Sequence, residues 1–222
     1  MKTIGLLYRS LRSDSMELAR CAEALLQTGG AKTWMGSGDD LEALSAVANE
    51  LELLITFGGD GTIVNALRSV SEANVPVLGV NLGRLGFLAE VEPDALESII
   101  PDLLAQRFFV EERMMLQADL CRDGQCILSG KAINEVVMGR GGTLRTVRIS
   151  VYVDDHYVMT QTADGLVVAT PTGSTAYCLS AGGPIVSPGV NGITLVPVAA
   201  HLAVAHAIVV PADSTVKLVL SK

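Results

Sequence analysis

Basic residues are scarce in this chain. Sixteen lysines and arginines stand against twenty-four aspartates and glutamates, a formal net charge of −8 over 222 residues. Nucleic-acid binding normally leaves a basic footprint, so that class is excluded, and a phosphate site here must use backbone dipoles and a few placed cations. The common nucleotide fingerprints are missing as well. There is no Gly-x4-Gly-Lys-Ser/Thr run: the lysine that follows a glycine, Lys131, is followed by Ala132. No GxGxxG follows the first strand-like segment, so a Walker-type ATPase and an ordinary Rossmann dehydrogenase are both disfavoured. Cys21, Cys121, Cys126 and Cys178 match no zinc spacing and no CxxC pair. They read as reduced, mostly packing thiols, which suggests a cytoplasmic protein. His156, His201 and His206 form no HExxH-type motif, so no protein-held metal is expected. The N-terminus, MKTIGLLYRS, lacks a long apolar signal core. Residues 193–212 carry no charged side chain and are long enough to cross a bilayer, but Pro197 and two histidines interrupt them. Both ends of that segment are β-branched, which predicts a strand–loop–strand in a core and no membrane partner.

Strand and helix signals alternate through the first half. Residues 2–8 (KTIGLLY) predict a buried strand; residues 14–27 predict a helix capped by Ser13 or Asp14 and ended by Gly29 and Gly30. A second helix is expected over 40–49, a strand over 51–57 (LELLITF), a helix over about 62–73, a strand over 75–80 and a helix from Pro93 to about Gln106. Such alternation argues for a parallel sheet. From Phe109 onward the chain turns to short strands, with turn signals at Arg122–Gln125 and at Asp154-Asp155. One short helix is expected near Ser174 to Ala181. The fold class is therefore an α/β domain over 1–108 followed by a β-rich, sandwich-like domain over 109–222.

Four motifs carry chemistry. Gly58-Gly59-Asp60-Gly61-Thr62 follows a strand and opens a helix, so Gly58, Gly59, Gly61 and Thr62 offer a phosphate-binding turn. A carboxylate among phosphates is repulsive unless it serves a purpose. Asp60, isolated among glycines, suits a proton acceptor or a water-bridged Mg²⁺; an ordinary turn with an Asp helix cap is the plainer alternative. Asn81 to Leu88 (NLGRLGFL) follows the next strand at the same sheet edge, and there Phe87 suits either stacking on a base or core packing. Asn134-Glu135 combines donors with acceptors, as the paired hydroxyls of a ribose need, though it also suits a strand edge. The run from Thr162 to Pro184 joins a strand (GLVVAT), a Pro-Gly turn and a short helix with Thr172 and Ser174 as natural N-caps. Asp164 and Tyr177 stand where they can face a ligand.

At these residues the chain resembles the NAD kinase family. The likeness runs through GGDGT at 58–62, GVNLGRLGFL at 79–88, NE at 134–135, ADG at 163–165 and TPTGSTAYCLSAGGPIVSP at 170–188. The resemblance implies that the two domains together form the cleft and that Asp60 accepts the proton of the adenosine ribose 2′-hydroxyl. It implies that Asn134 and Glu135 hold that ribose, with Gly61 and Phe87 bordering the nucleotide. Thr175, Ala176, Tyr177, Cys178, Leu179, Ser180 and Asp164 would line the NAD site, joined by Arg145 and Thr162. The implied donor is ATP or inorganic polyphosphate with Mg²⁺ or another divalent cation, and the implied assembly a homodimer or homotetramer.

Two departures accompany the likeness. The family usually continues past the equivalent of Lys222 with further strands and a tail, so the β-rich domain is expected to be truncated here. Family members also often carry Arg-Pro where this chain has His206-Ala207. The rival readings are a lipid kinase, which shares GGDGT but needs a different second motif, and a non-catalytic dinucleotide-binding fragment.

Overall fold

A computed structural model describes residues 3–83, 86–142, 145–200 and 206–221. Arg84 and Leu85 of the NLGRLGFL loop, and His201, lie outside them. The chain divides into two compact units, Met1–Glu111 and Glu112–Lys222.

The first unit is built on a parallel sheet. Strands β1 (Thr3–Tyr8), β2 (Lys32–Ser37), β3 (Leu53–Gly58) and β4 (Val77–Asn81) lie in the order β2-β1-β3-β4. Every residue of β3 is buried, because helices cover both faces of its central position. Helix α1 (Ser13–Thr28) turns Ser15, Ala19, Ala22 and Leu26 inward, the i, i+4, i+7, i+11 stripe of an amphipathic helix. With α4 (Leu96–Leu104) it closes one core around Leu6, Ile55 and Phe57. Helices α2 (Leu41–Val47) and α3 (Asp60–Val70) close the other around Leu7, Leu44, Leu54 and Ala66. Ser15 fixes the sheet's carboxyl edge: its hydroxyl donates to the Phe57 carbonyl and accepts from the Arg9 amide, each at 2.8 Å. The end of β1 and the end of β3 are thereby tied to one helix start.

Two expectations need correction in this unit. Strand β2 was not anticipated, since KTWMGS has neither period-2 alternation nor a β-branched run; its pairing with β1 makes it a strand. Neither Ser13 nor Asp14 caps α1; Arg12 occupies the cap with no side-chain bond, and Asp14 instead pairs with the Arg12 guanidinium at 2.5 Å. Asp40, by contrast, does cap α2, accepting from the Ala43 amide at 3.0 Å.

The second unit is antiparallel. Strands β5 (Leu116–Arg122) and β6 (Gln125–Ala132) form a two-stranded hairpin. A three-stranded sheet orders β13 (Val216–Ser221), β8 (Val147–Val153) and β9 (His156–Ala163), and a four-stranded sheet orders β12 (Ile208–Pro211), β11 (Gly192–Val198), β10 (Gly165–Ala169) and β7 (Glu135–Gly139). Ile149 and Val151 from one of these sheets share a core with Leu166, Val168, Ile193 and Leu195 from the other. That is sandwich packing, with alternate residues of each strand facing inward. The outer face of β10 and β11 buries Val167, Ala169 and Val196 against Cys178 of the one-turn helix α5 (Tyr177–Ser180). Both turn signals are hairpins whose central residues take the left-handed conformation: Asp123 and Gly124 at φ 51° and 77°, and Asp154 and Asp155 at φ 50° and 64°. The apolar segment begun at Gly192 is β11, which pairs with β12 as a core strand. No helix among the described residues is long and apolar enough to cross a membrane.

The thiols are also redistributed. Only Cys178 is buried; Cys21, Cys121 and Cys126 are exposed, so most of them do not serve packing. Cys21 sits on the solvent side of α1, and the other two lie near the tip of the β5–β6 hairpin, where both strands are exposed.

Candidate functional site

The first constellation sits at the carboxyl edge of the parallel sheet, where open α/β sheets place their ligands. Strand β3 ends at Gly58, Gly59 takes the cap position in extended conformation, and α3 starts at Asp60. A Cβ on Gly59 or Gly61 would meet no atom within 4 Å, so packing does not require glycine at either position. Bare backbone at an eleven-residue helix start leaves amides without intrahelical acceptors and a positive dipole end directed outward. Beside it lies a cavity of about 300 Å³ lined by Arg9, Gly38, Asp39, Gly59, Gly61, Thr62 and Asn65. One guanidinium and a helix N-terminus on the same cavity suit a phosphate chain.

Asp60 is not isolated. Its carboxylate accepts from the Phe87 amide at 2.9 Å and from the Leu88 amide at 3.2 Å. A Cβ on Gly86 would lie 2.2 Å from Asp60 Oδ1, so this close approach needs a glycine. The first two motifs are therefore one device: the carboxylate of the turn clamps the loop that follows β4. Asn81 holds the other end of that loop, its side chain accepting from the Gly83 amide at 3.1 Å and donating to Glu92 at 3.2 Å. With its backbone held, Phe87 stands 63% exposed, which removes the core-packing alternative. A carboxylate has about four lone-pair positions, so two remain on Asp60 for a proton or a hydrated cation.

The second constellation lies within the β unit. Glu135 opens β7 with Asn134 directly before it, and the Thr170–Thr175 turn is docked on them. The Thr170 amide donates to the Asn134 carbonyl at 2.8 Å, and the Thr170 hydroxyl donates to the Ile133 carbonyl at 2.5 Å. A Cβ on Gly173 would lie 2.0 Å from that same Asn134 carbonyl oxygen. Glycine at 173 is thus a requirement of backbone approach. Asn134 Oδ1 and Glu135 Oε2 are both buried, and neither has a hydrogen-bond partner. Native proteins rarely leave such atoms unpaired, and two adjacent ones point to a ligand that donates. Burial pushes the Glu135 carboxyl above its ordinary range. Burial likewise raises the Cys178 thiol, with the Glu135 charge as a second cause, which brings the start of β7 and α5 into one neighbourhood.

The other predicted residues are placed unevenly. Asp164 is tied on both sides by its backbone, its amide donating to the Val198 carbonyl at 2.9 Å and its carbonyl accepting from the Arg140 amide at 3.1 Å. Its carboxylate pairs with the Arg140 guanidinium at 3.3 Å. Thr175 and Ala176 are partly buried beside the docked turn; Tyr177, Leu179 and Ser180 face outward, and Cys178 faces the sheet. Thr162 lies on β9 opposite Arg148, and Arg145 is exposed between β7 and β8. Thr172 and Ser174 are not N-caps. Ser174 staples the turn instead, donating to the Pro171 carbonyl at 2.6 Å and accepting from the Val186 amide at 2.9 Å. Sequence reading missed Arg9, Thr170, Gly173 and Arg140. Arg9 was reachable, since it directly follows the first strand at the ligand edge; the other three act through contacts distant in sequence.

A glycine turn that aims a helix start at a phosphate-sized cavity, with a carboxylate beside it, is equipment for phosphoryl transfer to a hydroxyl. Family models agree on the class and narrow it: the ATP-NAD kinase N-terminal domain matches residues 11–108, and the ATP-NAD kinase C-terminal domain matches residues 133–222. An NAD kinase of Pseudomonas fluorescens (strain SBW25) is 41% identical over 205 residues, which are 92% of this chain and 69% of that protein. The fold is shared with yeast NADH kinase complexed with NADH, at a TM-score of 0.87 and 24% identity over 100% of this chain and 69% of that one. It is shared also with an NAD kinase from Archaeoglobus fulgidus in complex with ATP, at a TM-score of 0.77 and 21% identity over 98% and 80% of the two chains. The chain belongs to the NAD kinase family, a group of phosphotransferases.

Proposed function

We propose that this chain transfers a phosphoryl group from ATP, or from inorganic polyphosphate, to the 2′-hydroxyl of the adenosine ribose of NAD, giving NADP. The observation that carries the acceptor side is the pair of buried, unpartnered oxygens on Asn134 and Glu135. A ribose presents two adjacent hydroxyl donors, which supply the bonds that these oxygens lack in the protein. Phe87, exposed at 63% on a clamped loop, offers a stacking face for the adenine. Thr175 and Ala176 follow the docked turn as its nucleotide-facing residues, and the Asp164 carboxylate, held by Arg140, accepts from the amide at the far end of the dinucleotide. Tyr177, Leu179 and Ser180 extend that surface, with Arg145 and Thr162 as outlying contacts.

On the donor side, the phosphates enter the cavity at the start of α3, where the Gly59–Gly61 backbone and Arg9 offset their charge. Asp60 takes the proton of the 2′-hydroxyl as that oxygen forms its bond to the terminal phosphorus, and the bond to the nucleoside diphosphate or shortened polyphosphate breaks. Little covalent chemistry is required of the protein, so positioning and charge stabilisation supply most of the rate. Among the described residues no group of three or more His, Cys, Asp or Glu side chains could hold a metal. The divalent cation would arrive on the donor's phosphates, since Mg²⁺ needs only one or two protein carboxylates, and Asp60 would offer it its two remaining lone-pair positions. The same reading carries a homodimer or homotetramer, the assembly that the family resemblance implies, in the cytoplasm, as reduced thiols suggest.

The test is NADP formation from NAD by the purified chain, with ATP and polyphosphate assayed in parallel and NADH as a second acceptor. NADP from at least one donor is the expected result. Binding of NAD and ATP with no product from either donor would leave a non-catalytic dinucleotide-binding protein.

A further inference from the structure

The exposed cysteines of the β5–β6 hairpin have no part in the proposed reaction. Their placement follows from two local features. Asp123 and Gly124 form a two-residue left-handed turn, so Arg122 and Gln125 flank it as the first pair of the ladder. Pairs in an antiparallel ladder alternate between hydrogen-bonded and non-hydrogen-bonded, and the pair flanking a two-residue turn is hydrogen-bonded. The next pair out, Cys121 with Cys126, is therefore of the non-hydrogen-bonded kind, whose Cα atoms approach most closely. That separation falls inside the range a disulfide spans.

The second feature is an irregularity in the register. From Leu116↔Ala132 to Leu120↔Leu128 the partner numbers keep one register, and between Leu120 and Cys121 it shifts. In the unshifted register Cys121 would face Ile127. The extra residue moves Cys126 opposite Cys121, on the side of the hairpin where Asp119 accepts from Ser129 at 2.6 Å. Bulges re-aim side chains in this way. The neighbouring thiol is felt: Cys121 is held above the ordinary thiol range, first by desolvation and then by Cys126 and Asp119.

We propose that Cys121 and Cys126 are a thiol pair that closes reversibly to a cross-strand disulfide at the tip of this hairpin, with a small-molecule disulfide as oxidant. The thiolate of one cysteine attacks the small disulfide, giving a mixed disulfide on the protein and releasing one small thiol. The second cysteine's thiolate attacks the protein sulfur of that mixed disulfide, forming the Cys121–Cys126 bond and releasing the second small thiol. Two protein thiols and one small disulfide become one protein disulfide and two small thiols, so electrons and protons balance. The loop closed is short and both cysteines are exposed residues, the setting of a labile bond that exchanges with its surroundings.

The test treats the reduced full chain with oxidised glutathione, quenches in acid, alkylates and digests with trypsin. Cleavage after Arg113, Arg122 and Lys131 puts the two cysteines on separate peptides, residues 114–122 and 123–131. The expected result is loss of both free thiols together, with the two peptides joined until reduction and no glutathione on either. Cys21, exposed and remote in sequence, is the internal control that keeps its mixed disulfide. In Cys121→Ser and in Cys126→Ser the remaining thiol should retain glutathione as Cys21 does, with NADP formation unchanged. Separate peptides that each carry glutathione at the level of Cys21 would overturn the proposal. So would a bond that joins two chains, seen as a covalent dimer on a non-reducing gel.

Discussion

Replacing Asp60 with asparagine removes the proposed proton acceptor and also disturbs a structural contact. The carboxylate accepts from two backbone amides, Phe87 at 2.9 Å and Leu88 at 3.2 Å. Asparagine has one acceptor oxygen, so it can satisfy one amide and turns an N–H toward the other. A hydrogen bond to a charged group contributes about 1.5–3 kcal/mol, and Asp60 is only partly buried, so the loss of stability should fall at or below the lower end. For a unit of this size, each kcal/mol moves the melting midpoint by roughly 4–8 °C, which thermal unfolding resolves. The chemical loss is separate and larger: removing a general base lowers the rate by about 10² to 10⁴. Gly86→Ala divides the two effects. Its Cβ would come within 2.2 Å of Asp60 Oδ1 and push the loop aside, while the base itself is retained. The assay is NADP formation at saturating NAD and ATP, alongside melting of both variants. Asp60→Asn should lose far more kcat than Gly86→Ala at a comparable loss of stability. A folded Asp60→Asn enzyme within about ten-fold of the parent rate would refute the base assignment. Equal rate losses in the two variants would make Asp60 a positioning residue for the Phe87 loop.

The elements that announce themselves are those whose local pattern agrees with their place in the fold. Strand β3, buried at every residue, and α1, with its stripe at Ala19, Ala22 and Leu26, are legible because burial and period coincide. The two left-handed hairpin turns are legible because aspartate and glycine tolerate that conformation. Strand β2 is not, since KTWMGS is a strand by virtue of its pairing with β1 and not by propensity. The site divides in the same way. The motifs carry their glycines, carboxylates and amides in plain sight, and both their chemistry and their family likeness can be read from one chain. What holds them cannot. That Asp60 clamps the loop at residues 86–88, and that Gly173 lies against the Asn134 carbonyl, are contacts across 26 or more residues, with no trace in local spacing. These contacts explain why the motifs occur as a set: each positions another, and a lone GGDGT turn would have nothing to clamp.

Glu135 gives a pH test. Burial raises its carboxyl, so the folded, unliganded chain binds a proton more readily than the unfolded one, and its stability falls as pH rises from the ordinary glutamate range through the raised value. Ribose hydroxyls donate to the ionised form, so NAD affinity should weaken as pH drops below that raised value. In Glu135→Gln the slope should vanish, and calorimetric titration across pH checks this. Asn134→Ala and Glu135→Ala should each weaken NAD binding by about 1–3 kcal/mol, because ribose hydroxyls lose their acceptors; unchanged affinity in both would refute the ribose assignment. Arg140→Gln leaves the Asp164 carboxylate without its guanidinium. Both side chains are about a third exposed, so the pair contributes about 0.2–1 kcal/mol, and the KM for NAD should rise by no more than about five-fold with kcat unchanged. Gly173→Ala should be the most damaging single methyl group in the β unit. Its Cβ would lie 2.0 Å from the Asn134 carbonyl oxygen and 2.4 Å from the carbonyl carbon, and backbone cannot swing away as a flexible side chain can. Relief requires the turn to lift from β7, which breaks the Thr170 bonds to Asn134 and Ile133 and moves Asn134 Oδ1 and Glu135 Oε2 out of register with each other. Two bonds at about 1 kcal/mol each, with the overpacking itself at about 1–3 kcal/mol, make a midpoint drop of ten degrees or more for a unit this size. NAD binding should fall with it, while Gly59→Ala, whose Cβ meets nothing within 4 Å, should melt like the parent and lose activity only. If Gly173→Ala melts like the parent and binds NAD normally, the turn is not docked on Asn134, and the two motifs work independently.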